Sequence, residues 1–389
     1  MSFGESNIGF PLFSVLTVTL LIIVGTTGLR GAHPIKDRIA PTLLYLVTAA
    51  AGVVGLVFHP SPTGAILTLS MVIVVGVLLA IASFDVHDLR THVALPLLGA
   101  SALQSVIVVI QSITGTAFGY NFLYPGASLL VTEGYARPQG MFDHVYEAAL
   151  FALLAIAVGL ALLPAAGRLR MWFLGGIGLG AVSLALTHSR SAFLGLVLVV
   201  VVASVASVRA VPSMRSGLAV LLIAFGVPAL MTASIWQARL TESVNGSLDE
   251  VTSGRITLMK QAVTLAADYP VVGVGPNRYI DALEASVDES EITYVVHNIP
   301  LMVTAELGIP AGVLTTFLLV WAAIQSFAAG HRLALLFFAP IPFYVFDVIM
   351  YNRPFGLLLY VIWCGILGSM TRIARPSPRS EGANDAHLS

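Results

Sequence analysis

Three arginines and a histidine fall where apolar stretches of this chain end. His188-Ser189-Arg190-Ser191 is a turn just long enough to reverse direction between two apolar runs, with Ser191 placed to cap the helix that follows. Ser253-Gly254-Arg255 opens a stretch in which Ile256, Met259, Val263 and Ala266 recur at near-helical spacing as far as Pro270. That pattern predicts an amphipathic helix lying on a membrane surface with Arg255 in its first turn, where a cation opposes the helix dipole and a nearby anion would stabilise it. Arg278 follows Val272-Gly273-Val274-Gly275-Pro276-Asn277, whose Gly, Pro and Asn make a tight turn. It is not a nucleotide loop, because the third glycine of a dinucleotide fingerprint is missing and no strand precedes it. A short helix is expected next, with Ile280, Leu283 and Val287 on one face and Asp281, Glu284 and Asp288 on the other. His297-Asn298 stands where a long loop meets the next apolar run, and the free N–H groups of a helix N-terminus there attract anions and suit a general base. Guanidinium groups grip phosphate oxygens in bidentate fashion at any pH, so arginines beside such a histidine suit a pyrophosphate, the leaving group of a sugar carried on a polyprenyl diphosphate. Arginines can also take the place of a divalent metal in stabilising that leaving charge. The loop His59-Pro60-Ser61-Pro62-Thr63-Gly64 holds no carboxylate of the kind a metal-dependent lipid-linked glycosyltransferase would show, so chemistry without metal or other cofactor is expected.

Each of these residues has a plainer reading. Arg190 can snorkel at a helix end, Arg255 can be a solvated charge, and His297 can be an interfacial anchor. Glu306 is equally suited to an interhelical hydrogen bond, and Asp347 with Arg353 to a structural ion pair.

The elements that position them are membrane spans. Of 389 residues 57% are apolar and only 10% charged, and the mean hydropathy is +0.91, far from the composition of a soluble globule. Lys plus Arg number 19 and Asp plus Glu 20, so no global charge excess points to nucleic acid. One cysteine, Cys364, excludes a disulfide framework, a thiolate zinc site and an iron–sulfur cluster within one chain. Cutting the chain where charge, Pro or Gly clusters interrupt runs of roughly twenty apolar residues predicts eleven spans. They fall near 10 to 29, 40 to 58, 65 to 83, 93 to 113, 145 to 163, 171 to 187, 192 to 208, 217 to 235, 299 to 328, 333 to 349 and 355 to 370. The first lacks a basic n-region and a cleavage site and reads as a retained span. With the N-terminus outside, inner loops hold twelve basic residues and short outer loops three, Arg137, Arg190 and Arg353, which puts the C-terminus in the cytoplasm and the loop 236 to 297 outside. The ninth run carries Pro300, Glu306, Gly308, Pro310 and Gly312, so a kinked helix is expected. The expected organisation is an all-α polytopic bundle over 1 to 371, whose long extracytoplasmic loop contains short amphipathic helices, and a disordered tail over 372 to 389.

Four segments in order resemble the O-antigen ligase and Wzy-type polymerase superfamily. Arg137-Pro138-Gln139-Gly140-Met141-Phe142 looks like its R-x-x-G-x-F before a span, and His188-Ser189-Arg190-Ser191 like its Ser-Arg turn. Ser253-Gly254-Arg255 with Tyr269-Pro270-Val271-Val272-Gly273-Val274-Gly275-Pro276-Asn277 is similar to its R…P-x-x-G-x-G segment. His297-Asn298, followed by Glu306-Leu307-Gly308, resembles the ligase motif of His-Asn, nine residues and Gly. Asp143-His144 replace the Pro-Asn usual after Gly-x-Phe, and Ala311 stands where the motif has Gly, Thr or Tyr. The resemblance implies a GT-C-like bundle in the cell inner membrane that performs inverting, metal-independent glycosyl transfer. Its donor would be a polyprenyl-diphosphate-linked glycan and its acceptor a lipid-anchored or growing glycan, with membrane lipids around it. It further implies that His297, Arg190 and Arg255 carry the chemistry, with Arg278, Arg137, Asn298 and Glu306 as candidate substrate-binding residues. Polymerisation of repeat units is an alternative, and so is transport of small anions or lipid-linked glycans, although inverted-repeat halves are absent and intramembrane charges are few.

Overall fold

A computed structural model describes residues 39–123, 126–132, 135–209, 212–241, 255–286 and 294–373. The predicted first span, the predicted tail beyond residue 373, Ser253-Gly254, Val287 and Asp288 lie outside the described residues.

The described chain is a helical bundle. Its helices are α1 (Ile39–Phe58), α2 (Pro62–Ser83), α3 (Leu95–Thr114), α4 (Val145–Leu162), α5 (Arg170–Thr187), α6 (Arg190–Arg209), α7 (Met214–Met231) and α8 (Ala233–Thr241). Then come α9 (Arg255–Asp268), α10 (Tyr279–Ser286), α11 (Ile299–Leu307), α12 (Ile309–Ala328), α13 (His331–Phe338), α14 (Ile341–Phe346), α15 (Ile349–Asn352) and α16 (Pro354–Ile373). Among the described residues seven stretches are long and apolar enough to cross a membrane: 41–58, 62–83, 86–114, 145–165, 167–187, 214–231 and 309–328. Shorter apolar helices at 190–206, 331–346 and 355–371 fall on three further predicted runs.

Helix α4 is the axis of the bundle. It is apolar nearly all round, and every residue but Tyr146 is buried, as expected of a helix that neighbours cover on all sides. Around it α5 packs between α3, α4 and α7, while α16 packs on α2 and α1, and α12 on α1 and α13. The outward face of α12, with Val313, Phe317, Val320 and Ile324 exposed, has the character of a lipid-facing side.

The fold departs from the sequence expectations in three features. The ninth run is broken, not kinked: α11 ends at Gly308, whose φ of +91° suits only glycine, and α12 starts afresh with Pro310 in its first turn. The tenth run is also broken, into α13, α14 and α15. The third is a two-stranded hairpin, β1 (Leu130–Thr132) and β2 (Tyr135–Arg137), which pairs Leu130 with Arg137 and Thr132 with Tyr135. Strands of three residues are too short to leave a periodic signal in an otherwise helical chain.

Candidate functional site

His297 and Asn298 sit at the start of α11. Asn298 is its N-cap: its side-chain oxygen accepts the Leu301 N–H at 2.9 Å, and its Nδ2 donates to the Val345 carbonyl of α14 at 2.9 Å. Beside it, His297 turns Nδ1 toward Asp347 Oδ1, 3.9 Å away, with the histidine side chain 31% exposed and the aspartate 1%. Asp347 Oδ1 accepts the N–H groups of Val348 (2.7 Å) and Ile349 (3.3 Å), so the carboxylate also opens α15. Asp347 Oδ2 and His297 Nδ1 are both buried without a hydrogen-bond partner among the described residues. A buried carboxylate with one oxygen unpaired is costly unless a further hydrogen-bond donor, such as a substrate hydroxyl, closes over it.

The expected partner of Asp347 is therefore corrected. Arg353 reaches past it to Asp143, Nη1 to Oδ2 at 2.7 Å, and the Tyr120 hydroxyl donates to the other oxygen of Asp143 at 2.7 Å. The adjoining His144 caps α4, its Nδ1 accepting the Tyr146 N–H at 3.2 Å. Burial first, then the positive charge of Arg353, pushes the His144 imidazole down to about 4. An unfolded chain therefore binds a proton there between about pH 6.5 and 4 that the folded chain refuses, so folded stability falls as pH falls through that window. His144→Asn keeps a capping side chain, and is expected to flatten the loss of thermal midpoint between pH 7 and 5. An unchanged pH slope in the variant would count against this environment for His144.

The Ser-Arg turn is built differently from its expectation. His188 ends α5 in the left-handed region, φ 50°, and Ser189 caps α6, its Oγ accepting the Ala192 N–H at 3.3 Å. Arg190 is thus the first residue of α6, and Ser191 lies inside the helix. The His188 ring packs on Tyr135 and Trp236, and its Nε2 meets Thr232 Oγ1 at 3.1 Å. Arg137, 2% exposed, lies beneath the turn: its Nη2 donates to the Thr187 carbonyl at 3.2 Å and its guanidinium covers the Tyr146 ring at 5.2 Å. A cation at the carbonyl end of α5 is favourable, and it braces the turn that presents Arg190.

The glycine-rich segment is a nest with its own anion. Three residues of the turn have positive φ, Gly273 (67°), Gly275 (99°) and Asn277 (54°), an arrangement that points backbone N–H groups inward. The N–H groups of Val274 and Gly275 donate to the carbonyls of Ala305 and Glu306, at 3.0 and 2.9 Å. The Glu306 carboxylate, fully buried, accepts the N–H groups of Asn277 (2.9 Å) and Tyr279 (3.1 Å) and the Tyr351 hydroxyl (2.9 Å). Glu306 thus makes the hydrogen bonds of the alternative reading, all of them within the chain. Helix α9 buries Leu258, Gln261, Ala262, Leu265 and Ala266, while Val263 of the predicted face is exposed, because a second apolar stripe one residue out of phase meets the protein. Arg255 and Arg278 are half-buried, and neither makes a hydrogen bond or ion pair with His297 among the described residues.

Residues 175–316, from within α5 to the first turns of α12, match the family model described as O-antigen ligase. That segment belongs to the O-antigen ligase and Wzy superfamily. No curated protein matches the chain. The ligase-family segment holds Arg190, Arg255, Arg278, His297, Asn298 and Glu306, whereas Arg137, His144, Asp347 and Arg353 lie outside it. The Asp347 and His297 pairing thus joins the ligase-family segment to the chain beyond it. Sequence reasoning named Asp347 but not this partner, and named His144 only as a departure from the family pattern.

Proposed function

We propose that this chain is an O-antigen ligase-like membrane glycosyltransferase. It moves a glycan from a polyprenyl-diphosphate carrier to a lipid-anchored or glycan acceptor, with inversion and without a metal. The observation that carries this reading is His297, half-exposed at the start of α11 and backed by the buried Asp347, within a segment of that family. With Nδ1 turned to the carboxylate, Nε2 is the nitrogen left for a substrate. The acceptor hydroxyl oxygen attacks the anomeric carbon as the bond from that carbon to the diphosphate breaks. Its proton passes to Nε2, and the electron pair leaves with the polyprenyl diphosphate. Asp347 stabilises the imidazolium that forms, its 3.9 Å separation closing as charge develops. Arg190 and Arg255 take up the diphosphate charge, with Arg278 in support and Arg137 bracing Arg190 from below. The excess of basic residues in the loops read as inner supports an extracytoplasmic His297 and a cytoplasmic C-terminus. Polymerisation of repeat units would use the same groups, and product length separates it from ligation.

The test is glycan transfer by purified protein from a synthetic polyprenyl-diphosphate donor, in chelator, to lipid and glycan acceptors. Turnover undiminished by chelator is expected. Donor binding without transfer to any acceptor would overturn the enzymatic reading, and turnover restored only by a divalent ion would overturn its metal-independent part.

A further inference from the structure

Glu306 and Tyr351 are buried polar groups, at the far end of α11 from His297 and on α15, that the transfer chemistry leaves unused. Their hydrogen bond, 2.9 Å and wholly buried, spans 45 residues of sequence. On one side the same carboxylate holds the N–H groups of Asn277 and Tyr279, the two neighbours of Arg278. On the other, Tyr351 belongs to α15, the short helix that Asp347 opens through its bonds to Val348 and Ile349. Glu306 itself lies on α11, which begins beside His297.

The turn does not need Tyr351 in order to dock. Val274 and Gly275 are bonded to the backbone of α11, and the Ile309 N–H donates to the Pro270 carbonyl at 2.9 Å. What the tyrosine hydroxyl adds is a link from that turn to α15. We propose that Glu306 and Tyr351 are positioning residues, a joint that sets Arg278 against the His297 and Asp347 pair. The inference rests on the transferase reading, in which Arg278 helps to grip the donor diphosphate and the pair receives the acceptor proton. Loosening the joint lets the Arg278 turn and the His297 and Asp347 pair lose their register relative to one another while each keeps its own bonds, so placement of the donor between them should suffer most.

Tyr351→Phe removes the hydroxyl and leaves the ring. In active wild-type background the donor KM is expected to rise about tenfold, with kcat within about threefold and the acceptor KM unchanged. Glu306→Asp, shorter by one methylene, should raise the donor KM in the same way. Arg278→Ala added to Tyr351→Phe should give no further rise, because both changes remove one grip. A donor KM unchanged in both single variants, or effects of Arg278→Ala and Tyr351→Phe that multiply independently, would overturn the joint while leaving the transferase reading intact. A wild type that binds donor and transfers to nothing would overturn that reading, and this inference with it.

Discussion

His297→Ala is expected to abolish glycan transfer, with a fall of at least about a hundredfold in kcat and with expression and thermal midpoint close to wild type. The reasoning combines position and environment. The ring is half-exposed at a helix start, so its loss opens no buried cavity, and Asn298 continues to cap α11. Removing the imidazole removes the group that accepts the acceptor proton. Asp347→Asn should be nearly as damaging, because an amide can still accept the Val348 and Ile349 N–H groups but supplies no charge to the imidazolium. Arg190→Ala should likewise abolish transfer without disturbing Ser189, the residue that caps its helix. Full activity in both His297→Ala and Arg190→Ala would dispose of the site as assigned. Activity lost in His297→Ala but kept in Asp347→Asn would leave the histidine acting alone.

Local signals in the sequence were enough to locate His297 and Asn298 at a helix start, because an Asn followed by Pro300 and an apolar run is an N-terminus by capping chemistry alone. The interruption of the ninth run was legible for the same reason, through Gly308 and Pro310, although its extent was not. Whether glycine kinks a helix or ends it depends on what lies against it, and here that is the Val271 carbonyl from a distant segment. The partner of Asp347 was illegible because the obvious candidate, Arg353, is near in sequence while the groups that compete for both, His297 and Asp143, come from elsewhere in the chain. Helix α9 has two apolar stripes one residue apart, so periodicity could not choose between them and contact with α11 decides. The turn cap was missed by two residues because a left-handed His188 shortens the reversal, and positive φ is uncommon in any residue other than glycine.

Gly308→Ala and Gly273→Ala are expected to undock the glycine-rich turn and to lower the thermal midpoint in detergent markedly, together with activity. Both glycines have positive φ, a conformation that alone costs other residues about 1–3 kcal/mol. Each is also in close contact with backbone. A Cβ on Gly308 would collide with the Val271 carbonyl, and one on Gly273 with the backbone of Ala305 and Glu306, so no side chain can rotate away to relieve it. Either shift pulls on the bonds from Val274 and Gly275 to α11 and from Asn277 and Tyr279 to Glu306, and a buried carboxylate stripped of its donors adds its own penalty. The combined loss should therefore exceed the dihedral cost. Gly99→Ala in α3 and Gly226→Ala in α7 supply the control, since a Cβ at either place meets nothing within 4 Å. Those two should be neutral or stabilise by up to about 1 kcal/mol, the ordinary gain of alanine over glycine within a helix. Gly308→Ala melting with the controls would mean that the turn does not rest on the break between α11 and α12.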